Sequence, residues 1–237
     1  MIRRAFGHLS EQIQDECRDG ILSLMQKKAG ASVLDLGCFD GQFTRRIAEH
    51  VDAGSVFGLD VDLERLKLAE ARSIEAHHGD LNEVFPFESD CFDVIHANQV
   101  IEHLSDTDRF VTEIRRTLKP GGYAVIGTPN LAALHNILYL LLGLQPFDAS
   151  VSDQVVVGSW HPIKLPRLGS TYPMGMVGHR RLFTLGALTG LFEFHGFKIE
   201  RAIGSGYYPL PMTLARAMCA VDRNHSTYIA IRARKNS

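Results

Sequence analysis

The sequence predicts an α/β fold built on a doubly wound, mostly parallel seven-stranded sheet with helices on both faces and an inserted lid. Three observations predict it. Short apolar runs alternate with helix-period segments from residue 31 to 129. The first of these runs ends in a glycine-bearing turn, "VLDLGCFDG", Val33 to Gly41, which makes the pattern Rossmann-like. Two more strand-like runs, "FKIERAI" and "STYIAIRA", close the chain after a break in the alternation. Strands separated by helices form parallel pairs through right-handed crossovers, and such a sheet buries both faces.

Each element has its own signal. Residues 10–28 read as a helix capped by Ser10, with Ile13, Cys17, Ile21 and Leu24 at helical spacing and Gly20 as its weak point. The segment 1–30 is thus an N-terminal helical extension of a single domain, 1–237. Ala31 to Leu36 is a short apolar run bounded by glycines, the mark of a buried strand. After Gly41, Phe43, Ile47 and Val51 define one helix face. Ser55 to Asp60 is a second strand, and Asp62 caps a helix carrying Leu63, Leu66 and Ala69. "SIEAHHGD" ends in a third strand, and "CFDVIHAN" is a fourth. Ser105 is a cap for a helix with Phe110, Ile114 and Leu118 on one face, stopped by Pro120-Gly121-Gly122. "YAVIGTP" is the fifth strand. Thr184 caps a last helix bearing Leu185, Leu188, Leu191 and Phe192, with Gly196 just past its end.

Residues 130–180 break the pattern. They hold a Leu-rich run, Leu131 to Leu144, and then a Gly/Pro/Ser-rich stretch, so they are expected to form a lid or substrate-binding insertion. The Leu-rich run is too short to span a bilayer and is interrupted by His135 and Asn136. It is expected to be a core or pocket-lining helix in preference to one lying on a membrane surface.

Composition excludes several classes. Of 237 residues, 45% are hydrophobic and 22% charged, ordinary values for a globular domain. The formal net charge of -2 gives no bulk attraction to nucleic acid or an anionic membrane. The N-terminus turns polar too early for a secretory signal. Four scattered cysteines without a CxxC indicate a reducing compartment, so a cytoplasmic location is expected. Neither HExxH nor another ligand spacing is present, so no metal site is expected.

The glycine turn carries the chemistry. Glycines there let the backbone turn sharply and approach a ligand, and the following helix start presents free N–H groups to negative groups. Ligands of open α/β sheets sit beyond the carboxyl ends of the strands. Asp60 ends the second strand, where a carboxylate can accept both hydroxyls of an adenosine ribose. Asp80 follows at the end of the third, where it can accept from an adenine amino group or simply close a "GDLN" turn.

With these residues in hand, the chain resembles class I S-adenosylmethionine-dependent methyltransferases, in the small-molecule group called type 11 or MetW/UbiE-like. The matching segments are "VLDLGCFDG", "VFGLDVD", "HHGDLNEVFPF", "FDVIHANQVIEHL" and "LKPGGYAVIGTPN", in the family's order across residues 31–130. "GHRRLFTLGALTGLFEFHGFKIE" also looks like the family's later helix and sixth strand. The resemblance implies S-adenosyl-L-methionine as cofactor and a small-molecule methyl acceptor, with O-methylation by in-line displacement as the first expectation and nitrogen and carbon left open. It places Gly37, Cys38, Asp40 and Gly41 along the methionine part, and Asp35 holding the loop or receiving the amino group. Asp60 takes the ribose hydroxyls with Val61 beside the adenine, Asp80 and Leu81 fix the adenine edge, and Asn98 and Gln99 lie near the methionine end. Two positions depart from the family pattern: Phe39 stands for a middle glycine, and Gln99 where a Glu is common.

A neutral hydroxyl nucleophile wants a general base, and histidine is the usual choice. His103, in "NQVIEHL", is the first candidate and His179, in "GHRR", the second. Beside His179, Arg180 and Arg181 suit an acidic group on the acceptor, while Trp160, His161 and Tyr172 suit a lid lining. Cys38 is expected to be an apolar filler rather than a nucleophile. Two other readings stay open: a nicotinamide dinucleotide oxidoreductase, which "GCFDG" fits poorly for want of GxGxxG, and a non-catalytic module keeping the fold.

Overall fold

A computed structural model describes residues 2–149, 151–152, 154–161, 165–173 and 178–236, without the side chains of 2–7, 156, 160, 161 and 165–173. The elements in chain order are α1 (Ile2–Leu24), β1 (Ala31–Leu36), α2 (Gln42–Val51), β2 (Ala53–Asp60), α3 (Leu63–Glu70), β3 (Glu75–His78), β4 (Phe92–Asn98), α4 (Thr107–Thr117), β5 (Leu118–Pro129), α5 (Leu134–Leu141), β6 (Val155–His161), β7 (Leu165–Pro173), α6 (Leu185–Phe194), β8 (Phe197–Ser205), α7 (Met212–Val221) and β9 (Tyr228–Lys235). A one-turn 3-10 helix, Ile101–His103, links β4 to α4.

Seven strands form one sheet in the order β3-β2-β1-β4-β5-β9-β8. The first five pair in parallel, while β9 runs antiparallel to both β5 and β8. The sequence-predicted architecture is therefore present, with its switch point between β1 and β4. Period-2 alternation sends Val33, Val94 and Val125 to one face and Leu34, Leu36, Ile95 and Ile126 to the other. The first face is covered by Ile21 and Leu24 of α1 and Ile47 and Val51 of α2. Phe110 and Ile114 of α4 and Leu188 and Phe192 of α6 cover the second. Each such fully buried side chain stabilises the fold by about 1.5–3 kcal/mol.

Several boundaries differ from the sequence reading for identifiable reasons. Helix α1 starts at Ile2 and ends at Leu24, so Ser10 lies inside it rather than capping it. Gly20 is where α1 crosses β8: a Cβ there would lie 2.8 Å from Ser205 Oγ. Asp106, not Ser105, caps α4 by accepting from the Arg109 amide, because the Ser105 hydroxyl donates to Asn82 Oδ1 at 2.9 Å. Asp62 and Thr184 cap α3 and α6 as expected. Pro120-Gly121-Gly122 lies within β5, and α4 stops earlier, at Thr117.

The insertion departs most. It contains α5 and an antiparallel β6–β7 hairpin that the Gly/Pro-rich composition did not reveal. Nor is α5 a core helix: Asn136 and Tyr139 are its buried residues, while Leu138, Leu140, Leu141 and Leu142 are 43–77% exposed. The leucines ring the helix instead of forming one stripe, so packing along one side leaves several of them exposed. The helix is anchored by a polar contact, Asn136 Nδ2 donating to the Asn130 carbonyl. The side chains of Trp160, His161 and Tyr172 lie outside the described residues.

Candidate active site

The site is built along the carboxyl edge of β2, β1, β4 and β5. Beyond β1 the chain turns through Gly37, Phe39 and Gly41 with φ of 74°, 52° and 76°, while Cys38 and Asp40 keep ordinary negative values. Backbone of alternating sign curls its amides toward one concavity. Gly37 donates to the Leu59 carbonyl at 2.8 Å, laying the loop across the tip of β2. A Cβ on Gly37 would sit 2.5 Å from Val100 Cγ2, so both conformation and space demand glycine.

Asp60 fixes the same loop. Its Oδ2 accepts from the Phe39 amide at 2.8 Å and its Oδ1 from the Asp62 amide at 3.0 Å. Phe39 does not fill the space above Gly37. Its ring is 44% exposed, and the Arg65 guanidinium of α3 stacks 4.1 Å over it. The stacking and the Asp60 bond hold a non-glycine residue in the left-handed region, which otherwise costs about 1–2 kcal/mol.

The other predicted acids are occupied differently. Asp35 is buried: Thr44 Oγ1 donates to its Oδ2 at 2.5 Å, and His96 Nδ1 meets its Oδ1 at 2.6 Å. It ties β1 to α2 and β4, which favours holding the loop over receiving an amino group. Asp40 forms an ion pair with Arg72 at 3.4 Å and accepts from the Gln42 amide, so its carboxylate closes the turn. Asp80 lies two residues past the end of β3, and its Oδ1 accepts both the amide and the side-chain Nδ2 of Asn82. That is the turn chemistry foreseen for "GDLN". Leu81 packs in the core, and Val61 is exposed. Cys38 is buried against Gly58, and burial raises its thiol well above the usual range, so it is inert.

At the end of β4 the chain enters a strained residue, Gln99, with φ 59°. Its amide donates to the Gly127 carbonyl. Its Nε2 is buried without a partner among the described residues. Gln99 and Asn98 border a half-open cavity of about 150 Å³ that is also lined by Gln14, Cys17 and Arg18 of α1 and by Tyr228.

Immediately downstream is a cluster the sequence reading only half found. His103 and His179, 76 positions apart, come together with ring centroids 4.9 Å apart. His103 Nδ1 is 3.1 Å from the Gly178 carbonyl, and His179 Nδ1 is 3.0 Å from that of Asp148. Carbonyls only accept, so both Nδ1 atoms donate, and in the neutral imidazole form each Nε2 carries a lone pair. Beside them is Glu102, fully buried, which sequence reasoning passed over inside "IEHL". Its Oε2 accepts from Thr128 Oγ1 at 3.0 Å, and its Oε1 has no partner among the described residues. Burial pushes the Glu102 carboxyl up to about 7, only partly offset by its hydrogen bonds. Burial also lowers the His103 imidazole. The Glu102 carbonyl accepts from the Arg180 and Arg181 amides at 2.7 and 3.0 Å, which pins residues 180–181 against the turn. Arg181 then donates to the Ser105 carbonyl, so its guanidinium is a strut here rather than an open anion receptor.

The sequence profile of a methyltransferase domain family matches residues 9–202. A probable S-adenosylmethionine-dependent methyltransferase of Mycolicibacterium smegmatis is 39% identical over 109 residues, 45% of this chain and 41% of that protein. The demethylmenaquinone methyltransferase of Bacillus velezensis is 28% identical over 202 residues, 80% of this chain and 84% of its own. Over most of the first curated relatives, including a rat mitochondrial ubiquinone biosynthesis O-methyltransferase, the match spans about half of their length. Among solved structures, an S-adenosylmethionine-dependent methyltransferase of Mesorhizobium loti has the same fold, with a TM-score of 0.63 at 20% identity, covering 92% of this chain and 96% of that one. The glycine turn under a strand-tip acid, on a sheet of this order, is thus the frame of a known family: the chain belongs to the class I S-adenosylmethionine-dependent methyltransferases.

Proposed function

We propose that the protein transfers a methyl group from S-adenosylmethionine to an oxygen of a small-molecule acceptor. The observation that carries this is Asp60. A carboxylate offers about four lone-pair positions. Asp60 uses one on each oxygen for the loop, which leaves one on each for a vicinal diol at the tip of β2.

The residues fit the cofactor on three counts. Glycine at 37, whose Cβ would collide with Val100, lets the turn take its left-handed form under the crevice. Asp60 would hold the ribose hydroxyls, with Val61 and the Asp80–Leu81 segment flanking the base. Gln99 Nε2, a buried donor with no partner among the described residues, would meet an acceptor group on the methionine portion. When bound, the sulfonium supplies an electrophilic methyl. The chain's own work is alignment and dehydration, and alignment alone lowers such a barrier by about 7–11 kcal/mol. The acceptor would enter at the His103–His179 pair, whose Nε2 lone pairs suit a hydroxyl and favour oxygen over carbon as the methylated atom.

The experiment is calorimetric titration of folded protein with S-adenosylhomocysteine, followed by mass spectrometry of hydroxyl-bearing acceptors incubated with S-adenosylmethionine. A gain of one methylene unit on a hydroxyl is expected. Absence of binding to either cofactor form would sink the proposal.

A further inference from the structure

Glu102, His103 and His179 are held in a manner that neither the sheet nor cofactor binding explains. A fully buried carboxylate normally finds partners for both oxygens, because an uncompensated one is costly to desolvate. Glu102 has the Thr128 hydroxyl on Oε2 and nothing among the described residues on Oε1. Beside it are two imidazoles, each fixed through Nδ1 by a backbone carbonyl and each left with a bare Nε2. That is the arrangement by which proteins orient histidine ligands: the far nitrogen is hydrogen-bonded so that the near one faces a metal. One ligand atom from each of the three residues lies within 4.8 Å of the others. Ligands on a common ion at bonds of about 2.1 Å are about 3.4 Å apart, so shifts of about an ångström close the set.

Resting on the reading above for where the acceptor enters, we propose that Glu102, His103 and His179 form a site for one divalent first-row transition ion, of the Zn²⁺ or Co²⁺ kind, with open positions for an acceptor oxygen. Two imidazoles and one carboxylate select such an ion over Mg²⁺ or Ca²⁺, which prefer all-oxygen shells. Three protein ligands leave coordination positions free, the property that separates reactive sites from structural ones. The two histidines then position the acceptor oxygen through the ion instead of taking its proton themselves. The proposal departs from the sequence expectation of no metal. The Glu-His pair is adjacent in the chain, but the third ligand arrives from beyond the insertion, with no spacing to betray it.

The test uses chelator-treated full-length protein titrated with Co²⁺, read by visible d–d absorption and by metal analysis after gel filtration. One ion per chain is expected, with pulsed EPR of a Cu²⁺-loaded sample showing coupling to two imidazole nitrogens. His179→Ala should weaken Co²⁺ binding by about 30-fold or more, within the range that loss of site-building groups produces. The same variant should keep its affinity for S-adenosylhomocysteine within about threefold, since no cofactor contact is removed. Failure of the wild type to hold a stoichiometric ion, a spectrum without two imidazoles, or full retention by a His179→Ala variant that still binds S-adenosylhomocysteine overturns the site. Should His179→Ala not fold, the wild-type spectrum decides alone. Loss of the metal with intact S-adenosylhomocysteine binding leaves the methyltransferase reading standing, whereas absence of S-adenosylhomocysteine binding removes that reading whatever the metal does.

Discussion

Replacing Asp60 by alanine should cripple cofactor binding while leaving the fold in place. The carboxylate accepts two backbone amides, from Phe39 at 2.8 Å and Asp62 at 3.0 Å, and keeps one free lone-pair position on each oxygen. Two hydroxyls docked there make two hydrogen bonds to a charged acceptor, each worth about 1.5–3 kcal/mol. Asp60 is only half-buried, so solvent screening argues for the lower end. About 3 kcal/mol corresponds to a weakening of S-adenosylhomocysteine binding by roughly 100-fold. The loss of the Phe39 anchor adds to it, since a phenylalanine at φ 52° has then only the Arg65 stacking to hold it. Asp60→Asn keeps one acceptor oxygen and should lose about tenfold. Isothermal titration gives the dissociation constants, with circular dichroism as the check on folding. A folded Asp60→Ala variant that binds within about threefold of wild type would refute the placement of the ribose.

Two further outcomes follow from the same geometry. Gly37→Ala forces a left-handed alanine, costing about 1–2 kcal/mol, and drives a Cβ to 2.5 Å from Val100 Cγ2; thermal denaturation should show a lower Tm, partly restored by adding Val100→Ala, and no change in Tm would refute the close approach. Asp93 is buried at the amino end of β4, where burial alone would raise its carboxyl, but hydrogen bonds from Lys119, Lys28 and the Ser32 amide overcome this and hold it at about 2, against 3.8 unperturbed. A depressed folded value means that the stabilisation, about 2 kcal/mol, is complete above the unfolded value and is lost as pH falls from about 4 to 2. Urea unfolding should therefore show Asp93→Asn less stable than wild type by about that amount at pH 7, with the gap closing toward the acid end; a gap that stays constant with pH would refute it.

The parts of the molecule legible in the sequence are those set by local rules. Strands β1, β2 and β4 were bounded by apolar runs and turn residues, and Asp62 and Thr184 were found as caps because they are the polar residues at the start of a periodic segment. What failed was competition between neighbours. Ser105 and Asp106 are both competent caps, and the choice fell to Asp106 because Asn82, distant in sequence, engages the Ser105 hydroxyl. Helix α5 was expected to be core or pocket-lining because it is rich in leucine; it is not core, since its leucines have no single face. Glu102 was invisible as a functional residue because a Glu in a short turn is ordinarily solvated. Here Thr128 and the segment pinned at Arg180 and Arg181 lie against it, and it is fully buried.

The three strand-tip acids show where sequence position stops being informative. Asp35, Asp60 and Asp80 each stand at or near the end of a strand-like run, and by pattern alone each could grip a ligand. What separates them is the supply of protein donors. Asp35 has a hydroxyl and an imidazole on its two oxygens in a buried setting, so a ligand would have to displace Thr44 or His96 and leave that group unpaired, a cost of about 1–3 kcal/mol. Asp80 is exposed and has both bonds from Asn82 on one oxygen, which commits it to the turn. Asp60 alone has one backbone donor on each oxygen, an arrangement that fixes the carboxylate without exhausting it. A side chain held rigidly and still short of partners loses little freedom when a ligand arrives, so under the proposed function Asp60 is the strand-end acid that would hold the ribose.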